Sequence, residues 1–396
     1  MSDFISDYML FTSGGEASPL YHTWGALSSL SAVVSRKVFF DNCVCKLYPN
    51  LYVILVGEPG DGKSTAMSMA RRLVQQMEMP IAPPSITLQQ ISVLMSMTNE
   101  ESKCHLKFIA NNMPMEISHF SFFANEIITM LSAGGNPSGL ITFFTDIYDQ
   151  EAYEVATKNK GTDVILSPYI TMLACMTPEQ TGQLLKEKLI TGGFSRRGIF
   201  VWGKRHGSPV ALPKNTPEQV EARIKCLAHL RKVKAYTKEY KLSPCGEAFF
   251  VPWYNEKYKQ MALPHTNVYK NWLRTKDSQL IKVAMLLDLA GDMTGILTET
   301  YFRKSLQMLD DVELHLNKVL AGAGRNPLAE IAYKIIARIE EAPDQVLSKK
   351  QIIAALWEDG DIEQTEKALD YLIRTDKLKR ELNVAAGNVE QLRLQH

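Results

Sequence analysis

The sequence predicts an α/β fold with a mainly parallel central sheet. Apolar segments of strand length alternate with amphipathic segments of helical spacing along the first half of the chain, which is typical of parallel strands joined by helices. The segment from Leu51 to Val56 is continuously apolar, as expected for a strand buried on both faces. A glycine-rich turn follows and leads into a helical segment, so strand, loop and helix are consecutive.

Composition limits the class of protein. The chain has 396 residues, enough for two or three domains. Lys plus Arg is 44 and Asp plus Glu is 43, a net charge of +1, so any contact with nucleic acid must come from a local cluster of charge. Hydrophobic residues make up 45% and charged residues 22%, which argues against long disorder.

Targeting signals and metal-binding cysteines are not apparent. The N-terminus has two aspartates and no basic segment before its apolar residues, and no apolar run approaches the roughly 20 residues that span a bilayer. We therefore expect a cytoplasmic protein with no membrane partner. Six cysteines include no CxxC pair; Cys43 and Cys45 could face the same way on a strand, but two further metal ligands are missing. Reduced, structural thiols are the simplest interpretation.

The predicted elements divide the chain into four regions. Gly, Pro and polar residues over 203–216 and again over 322–327 predict boundaries, with helices at 217–235, 246–261, 276–291 and 298–320 between them. Three helices and two short strands in the tail suggest a winged helix. The predicted regions are an N-terminal helical segment packing on the core at 1–40, an α/β core at 41–205, an α-helical lid at 206–324 and a winged helix at 325–396.

A phosphate-binding loop is the most specific motif. Residues 57–64, GEPGDGKS, fit G-x-x-x-x-G-K-[ST] and lie between a buried strand and a helix. Backbone N–H groups would bind phosphate oxygens, Lys63 would reach the terminal phosphates and the Ser64 hydroxyl would bind Mg²⁺. The alternative is a turn that only caps the helix. The predicted nucleotide-binding residues of this loop are Gly57, Glu58, Pro59, Gly60, Asp61, Gly62, Lys63, Ser64 and Thr65.

A second apolar strand supplies an acid. The segment FSFFANE ends in Asn125 and Glu126, and Glu126 is the candidate base or water-positioning residue for phosphate hydrolysis. Asn125 occupies the place of the usual metal-side aspartate and can hydrogen-bond metal-bound water without adding charge. Glu126 could instead be a first-turn helix residue that interacts with the helix dipole.

The order of four segments resembles that in the phage and plasmid primase-helicase-associated P-loop ATPases. These segments are PNLYVILVGEPGDGKST, SFFANE, SPYITMLACMTPEQTGQLL and GGFSRRGIFV. Their layout over residues 20–320 is also similar to that of minichromosome maintenance and superfamily 3 helicases of the AAA+ class. The resemblance implies a P-loop ATPase of AAA+ or RecA-like fold, with ATP and Mg²⁺ as cofactors.

The resemblance also implies roles for three residues. Thr177 matches a polar sensor of the γ-phosphate, although its hydroxyl could equally cap the helix that begins at Pro178. Arg196 matches an arginine finger that acts on the nucleotide of a neighbouring subunit, with Arg197 as the fallback and an exposed surface arginine as the alternative. Arg274, one residue out of register, is the nearest match to a second sensor arginine.

A predicted hairpin would provide the DNA contact. Strands at 151–157 and 162–167 are joined by a turn that contains Lys158 and Lys160, and the resemblance implies a pore-lining hairpin whose lysines bind DNA phosphates. Six copies of the hairpin would form a basic ring. The alternative to a DNA-binding hairpin is an ordinary hairpin with a solvated polar turn. In the tail, basic residues flank the predicted recognition helix but acidic residues lie at its start, so DNA, a protein partner and the protein's own ATPase ring all remain open as what the winged helix binds.

The expected function is that of a ring-forming, ATP-hydrolysing DNA helicase or translocase in phage or mobile-element replication. The resemblance implies that the ring is a hexamer. One alternative is a nucleotide-switched helicase loader or origin-binding adaptor that assembles on DNA without unwinding it. A third is a small-molecule kinase, because a phosphate loop alone is shared by many chemistries.

Overall fold

The computed structural model describes residues 3–99, 101–110, 113–157, 161–180, 193–207, 210–212, 214–263, 267–319, 327–342, 345–356, 362–383 and 389–394. These residues form two compact units, the first up to Leu316 and the second from Asn317 onward. Helices accompany sheets that contain parallel strands, which confirms the predicted α/β class. Within the described ranges, no helix is long and apolar enough to cross a membrane.

The first unit contains two sheets, one hairpin and the helices around them. Its strands are β1 (Val38–Asp41), β2 (Lys46–Leu47), β3 (Tyr52–Val56), β4 (His105–Ala110), β5 (Met113–Ala124), β6 (Ala152–Thr157), β7 (Gly161–Leu166), β8 (Pro168–Met176), β9 (Gly198–Trp202), β10 (Lys238–Leu242) and β11 (Ile296–Leu297). Its helices are α1 (Phe4–Thr12), α2 (Pro19–Val34), α3 (Lys63–Gln76), α4 (Leu88–Met95), α5 (Ile127–Leu131), α6 (Pro137–Asp146), α7 (Gly193–Arg197), α8 (Pro217–Ala235), α9 (Pro244–Met261), α10 (Asn267–Ala290) and α11 (Glu299–Leu314), and α12 (Leu316–Val319) crosses the boundary.

The central sheet has five strands in the order β4-β5-β8-β3-β9. Strands β5, β8, β3 and β9 are parallel, and β4 is antiparallel to β5. Every residue of β3 and β8 is buried, as their continuous apolar sequences predict. β4 was not predicted, because its sequence HLKFIA includes a lysine and its Ile109 is exposed. The parallel strands align their carboxyl ends at one edge of the sheet.

The second sheet corrects the prediction of a purely α-helical lid. It has four strands in the order β11-β10-β1-β2, and β10 pairs in parallel with β1. Within the sequence KEYKL of β10, only Tyr240 is buried, so the charged residues gave no apolar signal. Two short strands of region 206–324 therefore continue a sheet that begins near residue 38.

Local signals set the ends of several helices. Thr87 and Gln90 form a capping box at the start of α4, and Thr216 and Gln219 form another at the start of α8. Helix α10 begins at Asn267, earlier than the predicted residue 276. The helix predicted over 178–188 begins at residue 178, and its remainder lies outside the described residues.

The predicted hairpin is confirmed. Strands β6 and β7 are antiparallel and pair from Ala152 with Leu166 to Thr157 with Gly161. The two turn lysines, Lys158 and Lys160, lie outside the described residues. The structure therefore gives the hairpin strands but does not test the predicted DNA contacts.

The second unit combines three helices with an antiparallel sheet. Its elements are α13 (Pro327–Glu341), β12 (Val346–Ser348), α14 (Lys349–Ala355), α15 (Ile362–Arg374), β13 (Leu378–Asn383) and β14 (Val389–Leu394). The sheet order is β12-β14-β13, and Ile335, Ile352 and Leu369 belong to its own apolar core. The helices and last two strands match the prediction, while β12, three residues long, was not predicted.

Candidate functional site

The predicted phosphate-binding residues lie at the carboxyl edge of the central sheet, where the parallel strands end. Val56 of β3 pairs with Met176 of β8 and with Trp202 of β9. Gly57, Thr177 and Gly203 follow these strand ends. Ala124 of β5 pairs with Ala174 of β8, so Asn125 and Glu126 follow at the same edge. Adjacent strands thus bring together segments that are far apart in sequence.

Glycine is required at specific positions of the loop 57–62. Gly60 and Gly62 have positive φ angles of 92° and 80°, which side chains disfavour. A Cβ atom at Gly62 would lie 2.6 Å from the Cβ of Ala17, and one at Gly57 would lie 2.3 Å from the hydroxyl of Tyr21. Positions 57, 60 and 62 therefore favour glycine, because a side chain there would be strained or would clash. The loop ends at Lys63, the first residue of α3.

The ammonium group of Lys63 lies within the loop. Its Nζ atom donates hydrogen bonds to the carbonyl oxygens of Gly57 and Glu58, each at 2.6 Å. The side chain is buried, and this burial lowers the pKa of Lys63. A cation held by two neutral carbonyl oxygens is available to an anion that enters the loop, because charge-assisted hydrogen bonds are the stronger ones.

Asp61 braces the loop and does not point away from it as a free carboxylate. It accepts hydrogen bonds from the backbone N–H groups of Glu58, at 2.7 Å, and Arg205, at 3.1 Å. Glu58, Pro59 and Gly60 are exposed, and burial together with Glu179 and Asp61 raises the pKa of Glu58. The tip of the loop is thus open to solvent while its base is fixed.

Ser64 and Thr65 lie exposed in the first turn of α3. Their hydroxyl groups are the oxygen atoms that α3 offers beside the loop. The described part of the chain has no group of three or more His, Cys, Asp or Glu side chains arranged to hold a metal ion. Mg²⁺ suits such a sparse site, since it is commonly bound through one or two protein oxygens, substrate phosphates and water.

Asn125 and Glu126 are both exposed at the end of β5. Glu126 is the residue before α5, but its side chain makes no cap hydrogen bond to that helix backbone. Its Oε2 accepts a hydrogen bond from the Thr129 hydroxyl at 2.8 Å. The carboxylate is therefore oriented by a side chain and remains accessible to water.

Thr177 connects the end of β8 to the helical residues that begin at Pro178. Its backbone N–H donates to the side-chain oxygen of Gln180 at 3.0 Å, and the Gln180 N–H donates to the Thr177 carbonyl at 3.2 Å. Gln180 thus satisfies a helix-terminal N–H group, and the predicted roles of the Thr177 hydroxyl as sensor or cap both remain predictions.

The predicted arginines lie at the opposite, amino edge of the sheet. Arg196 and Arg197 end α7, directly before Gly198 of β9, which pairs with Tyr52 at the start of β3. β3 has five residues, so at about 3.3 Å per residue the two edges are about 16 Å apart. Arg196 therefore cannot serve the phosphate loop of its own chain.

Arg274 belongs with this arginine group and not with the phosphate loop. Burial, Arg197 and Arg274 together lower the pKa of Arg196, so the three guanidinium groups share one neighbourhood. Side chains of α10 also form hydrogen bonds to the backbone of α7. The Thr275 hydroxyl donates to the Arg196 carbonyl at 2.6 Å, and the Gln279 amide donates to the Arg197 carbonyl at 3.0 Å. The structure thus unites two arginines that were predicted from separate motifs.

Two residues that support the loop were not predicted. The hydroxyl of Tyr21 lies 2.7 Å from the Val56 carbonyl oxygen and 2.6 Å from that of Gly203, and Ala17 packs against Gly62. A tyrosine and an alanine near the start of an amphipathic helix carry no sequence signal for this role. Only the packing of α2 beside β3 reveals it.

A scan against protein-family models and a search of curated proteins each return no match for this chain.

Proposed function

We propose that this chain is an ATP-hydrolysing, ring-forming DNA helicase or translocase that acts in the replication of a phage or other mobile element. The observation that carries the proposal is the division of the candidate residues between two edges of one sheet. The phosphate loop and Glu126 follow strands that end at the carboxyl edge, whereas Arg196 precedes β9 at the amino edge. This division fits a site that is completed by a neighbouring chain.

ATP with Mg²⁺ fits the carboxyl edge. The N–H groups of the loop and the start of α3 favour a phosphate anion. Lys63 would exchange its two carbonyl partners for phosphate oxygens. Ser64 would supply a hydroxyl oxygen to the metal ion. Bound Mg²⁺ neutralises charge that develops on the transferred phosphoryl group.

Glu126 is the proposed general base. Its oriented, accessible carboxylate can accept a proton from the attacking water. Asn125 can hydrogen-bond water bound to the metal ion but adds no negative charge. Thr177, at the end of the strand between β3 and β5, is the proposed γ-phosphate sensor.

Arg196 is the proposed finger for a neighbouring subunit. A guanidinium group suits the charge spread over a transferring phosphoryl group, and strand β3, about 16 Å long, separates this arginine's edge of the sheet from its own loop. A closed ring, which we propose to be a hexamer, gives every phosphate loop one neighbouring amino edge. Each subunit would then both bind a nucleotide and activate another.

The DNA contacts are proposed for the hairpin. Lys158 and Lys160 lie in the sequence between β6 and β7. In a ring of subunits, these lysines would together form a basic ring, although the protein as a whole is nearly neutral. The element order of the second unit fits a winged helix. Ion pairs of Lys367 with Glu363, at 2.6 Å, and of Lys349 with Glu366, at 2.8 Å, balance the charge of α15, which favours a protein partner for that unit over DNA phosphates.

The test is the ATPase rate with and without single-stranded DNA, at protein concentrations that span ring assembly. We expect the rate per subunit to rise with protein concentration and with DNA. Lys63→Ala should abolish turnover, and the double change Lys158→Ala/Lys160→Ala should remove only the response to DNA. Full turnover in Lys63→Ala would refute the proposal.

A nucleotide-switched loader is the second candidate, favoured by Asn125 in place of an acidic residue. A metal site with one charge fewer suits slow turnover and a ring that closes on ATP without unwinding. Strand displacement on a forked substrate separates the candidates. Slow, DNA-independent turnover without displacement would support the loader.

A further inference from the structure

A fully buried lysine lies at the amino edge, close to the arginine group. Lys282 of α10 is 1% exposed, and its Nζ donates to the side-chain oxygen of Asn50 at 2.9 Å. The same nitrogen lies 3.8 Å from the centre of the Tyr148 ring and 3.6 Å from Asp149. The lysine thus contacts Asn50, two residues before β3, and the turn at 147–149 that leads to β6.

Asp149 joins this lysine to the arginine helix. One carboxylate oxygen forms the ion pair with Lys282, and the other lies 3.7 Å from Nε of Arg197. The Arg197 guanidinium also lies 5.7 Å from the Tyr148 ring centre. Both cations therefore share the same carboxylate and the same aromatic ring, which places Arg197 beside α10 and the 147–149 turn.

The turn that carries Asp149 is itself fixed. The Tyr148 hydroxyl donates to the Asn50 carbonyl at 3.0 Å, and the Asn50 amide donates to the Tyr148 carbonyl at 3.1 Å. Because Asn50 lies two residues before β3, the reference point for Arg197 is close to the start of the strand that leads to the phosphate loop. Arg196, the neighbouring residue, has its carbonyl held by Thr275.

Stability alone does not account for this arrangement. Asp149 is half exposed, at 52%, and its 3.7 Å contact with Arg197 contributes little to folding. Burying an ammonium group is costly, and an apolar residue of similar size would commonly serve stability as well or better. Groups that must hold a catalytic side chain in one place, however, gain from buried and fully bonded partners.

We propose that Asp149 and Lys282 are positioning residues for Arg196: by holding Arg197 and the end of α7, they set the direction in which Arg196 reaches the nucleotide of the neighbouring subunit. This inference rests on the proposed function. It predicts that a change at Asp149 impairs the neighbour's site and leaves the chain's own nucleotide site intact.

Asp149→Asn is the informative variant, because it keeps the shape of an exposed side chain and removes its charge. We expect kcat for ATP to fall about 10-fold, as a small misplacement of a catalytic group does, with KM unchanged. Asp149→Glu should restore part of kcat. The matched control is Asp146→Asn, since Asp146 is exposed in the preceding turn and forms no ion pair within the described ranges; its turnover should equal that of the unchanged protein.

Subunit mixing separates an effect on the neighbour from an effect on the same chain. Lys63→Ala subunits cannot hydrolyse ATP but carry an intact arginine group. In a 1:1 mixture with Asp149→Asn subunits, random assembly gives half of the Asp149→Asn sites an intact neighbour, so turnover per such subunit should rise about five-fold. Unchanged turnover on mixing, or no loss of kcat in Asp149→Asn alone, would overturn the inference.

A second mixture keeps the two proposals distinguishable. Arg196→Ala subunits mixed with Lys63→Ala subunits should also regain turnover. If this pair recovers activity and the Asp149→Asn mixture does not, the inference fails while the proposed function stands. If neither pair recovers activity, the trans-acting role of Arg196 fails and the inference fails with it.

Discussion

The two edges of the central sheet use opposite physical designs. The carboxyl edge consists of glycines and mostly exposed polar residues that follow the ends of four strands, and a Cβ atom at Gly60 would meet no atom within 4 Å. The amino edge joins charged side chains of three segments, the 147–149 turn, the end of α7 and helix α10, through Asp149 and Tyr148. One edge is shaped to receive a ligand, and the other holds its own groups in place.

The difference concerns what each buried cation contacts. At the carboxyl edge, the buried Lys63 is hydrogen-bonded to two backbone carbonyl oxygens, which a bound anion would replace. At the amino edge, the buried Lys282 and the nearby Arg197 contact side chains of the fold itself, Asp149 and Tyr148. A binding loop gains from accessible donors, whereas a group that acts on another subunit gains from preorganisation.

The largest effect is expected for a change at Arg196, which should separate ATP turnover from ATP binding. Arg196→Ala should lower ATP turnover about 1000-fold while leaving ATP affinity unchanged, because an arginine finger contributes to the transition state and lies at the far edge. Parallel measurements are kcat and equilibrium ATP binding. Arg303→Ala is the control, since Arg303 is exposed, forms an ion pair with Glu299 of the same helix and lies over the ring of Phe249. A loss of ATP affinity in Arg196→Ala would place this arginine at its own chain's nucleotide.

Two glycines of the loop provide a comparison within the carboxyl edge. Gly62→Ala should destabilise the protein by about 3 kcal/mol and impair ATP binding, because it combines a positive φ with a Cβ contact of 2.6 Å to Ala17. Gly60→Ala has a positive φ but no atom within 4 Å, so about 1 kcal/mol is expected. Urea unfolding measures both. Equal losses would show that the contact with Ala17 does not constrain the loop.

Much of the fold and one edge could be predicted from the sequence. β3, β8 and β9 are continuously apolar and bounded by turn residues, and the phosphate loop is a contiguous motif whose glycines are each explained by a φ angle or a contact. Strand β10 could not be predicted, because its single buried residue, Tyr240, carries too little periodicity.

The amino edge could be predicted only in part. Arg196 follows from its motif, but its closeness to Arg274 and the bridge through Asp149 depend on tertiary contacts between α7, α10 and the 147–149 turn. A signal for Lys282 did exist: it interrupts the apolar run LIKVAMLL, and a lysine in a buried helix position requires a partner.

Two buried histidines allow the pH dependence of stability to be compared near the two edges. Burial lowers the pKa of His22, near the carboxyl edge, to about 4, and that of His119, near the amino edge, to about 3. Since both folded-state pKa values lie below the unfolded value, the stability they contribute is present above pH 6.5 and is lost as the pH falls. His22 has no hydrogen-bond partner within the described residues, whereas His119 bonds Ser35 at 2.8 Å and Ser121 at 2.9 Å.

The two substitutions should therefore differ. Between pH 7 and pH 5, the free energy of unfolding of His22→Phe should fall by about 2 kcal/mol less than that of the unchanged protein. At pH 7, the two proteins should be equally stable. His119→Phe should weaken it at pH 7, because Ser35 and Ser121 lose a buried partner. Urea unfolding at the two pH values checks both. Identical behaviour of the variants would show that the hydrogen bonds of His119 contribute nothing.

The smallest effect concerns the buried lysine in alkali. Burial, opposed by Asp149 and aided by Arg197, lowers the pKa of Lys282 to about 8. The unfolded chain holds this proton more tightly, so the free energy of unfolding should rise by about 1 kcal/mol from pH 8 to pH 9. Burial likewise lowers the pKa of Lys37 to about 8, so Lys282→Met should remove about 1 kcal/mol of the rise and leave the part that Lys37 contributes, while the exposed Lys304→Met should leave the whole rise unchanged. If Lys282→Met is as stable as the unchanged protein at pH 9 yet has lower kcat, the amino edge keeps its buried charge for turnover and not for folding; a rise that is undiminished in Lys282→Met would assign the titration to other groups.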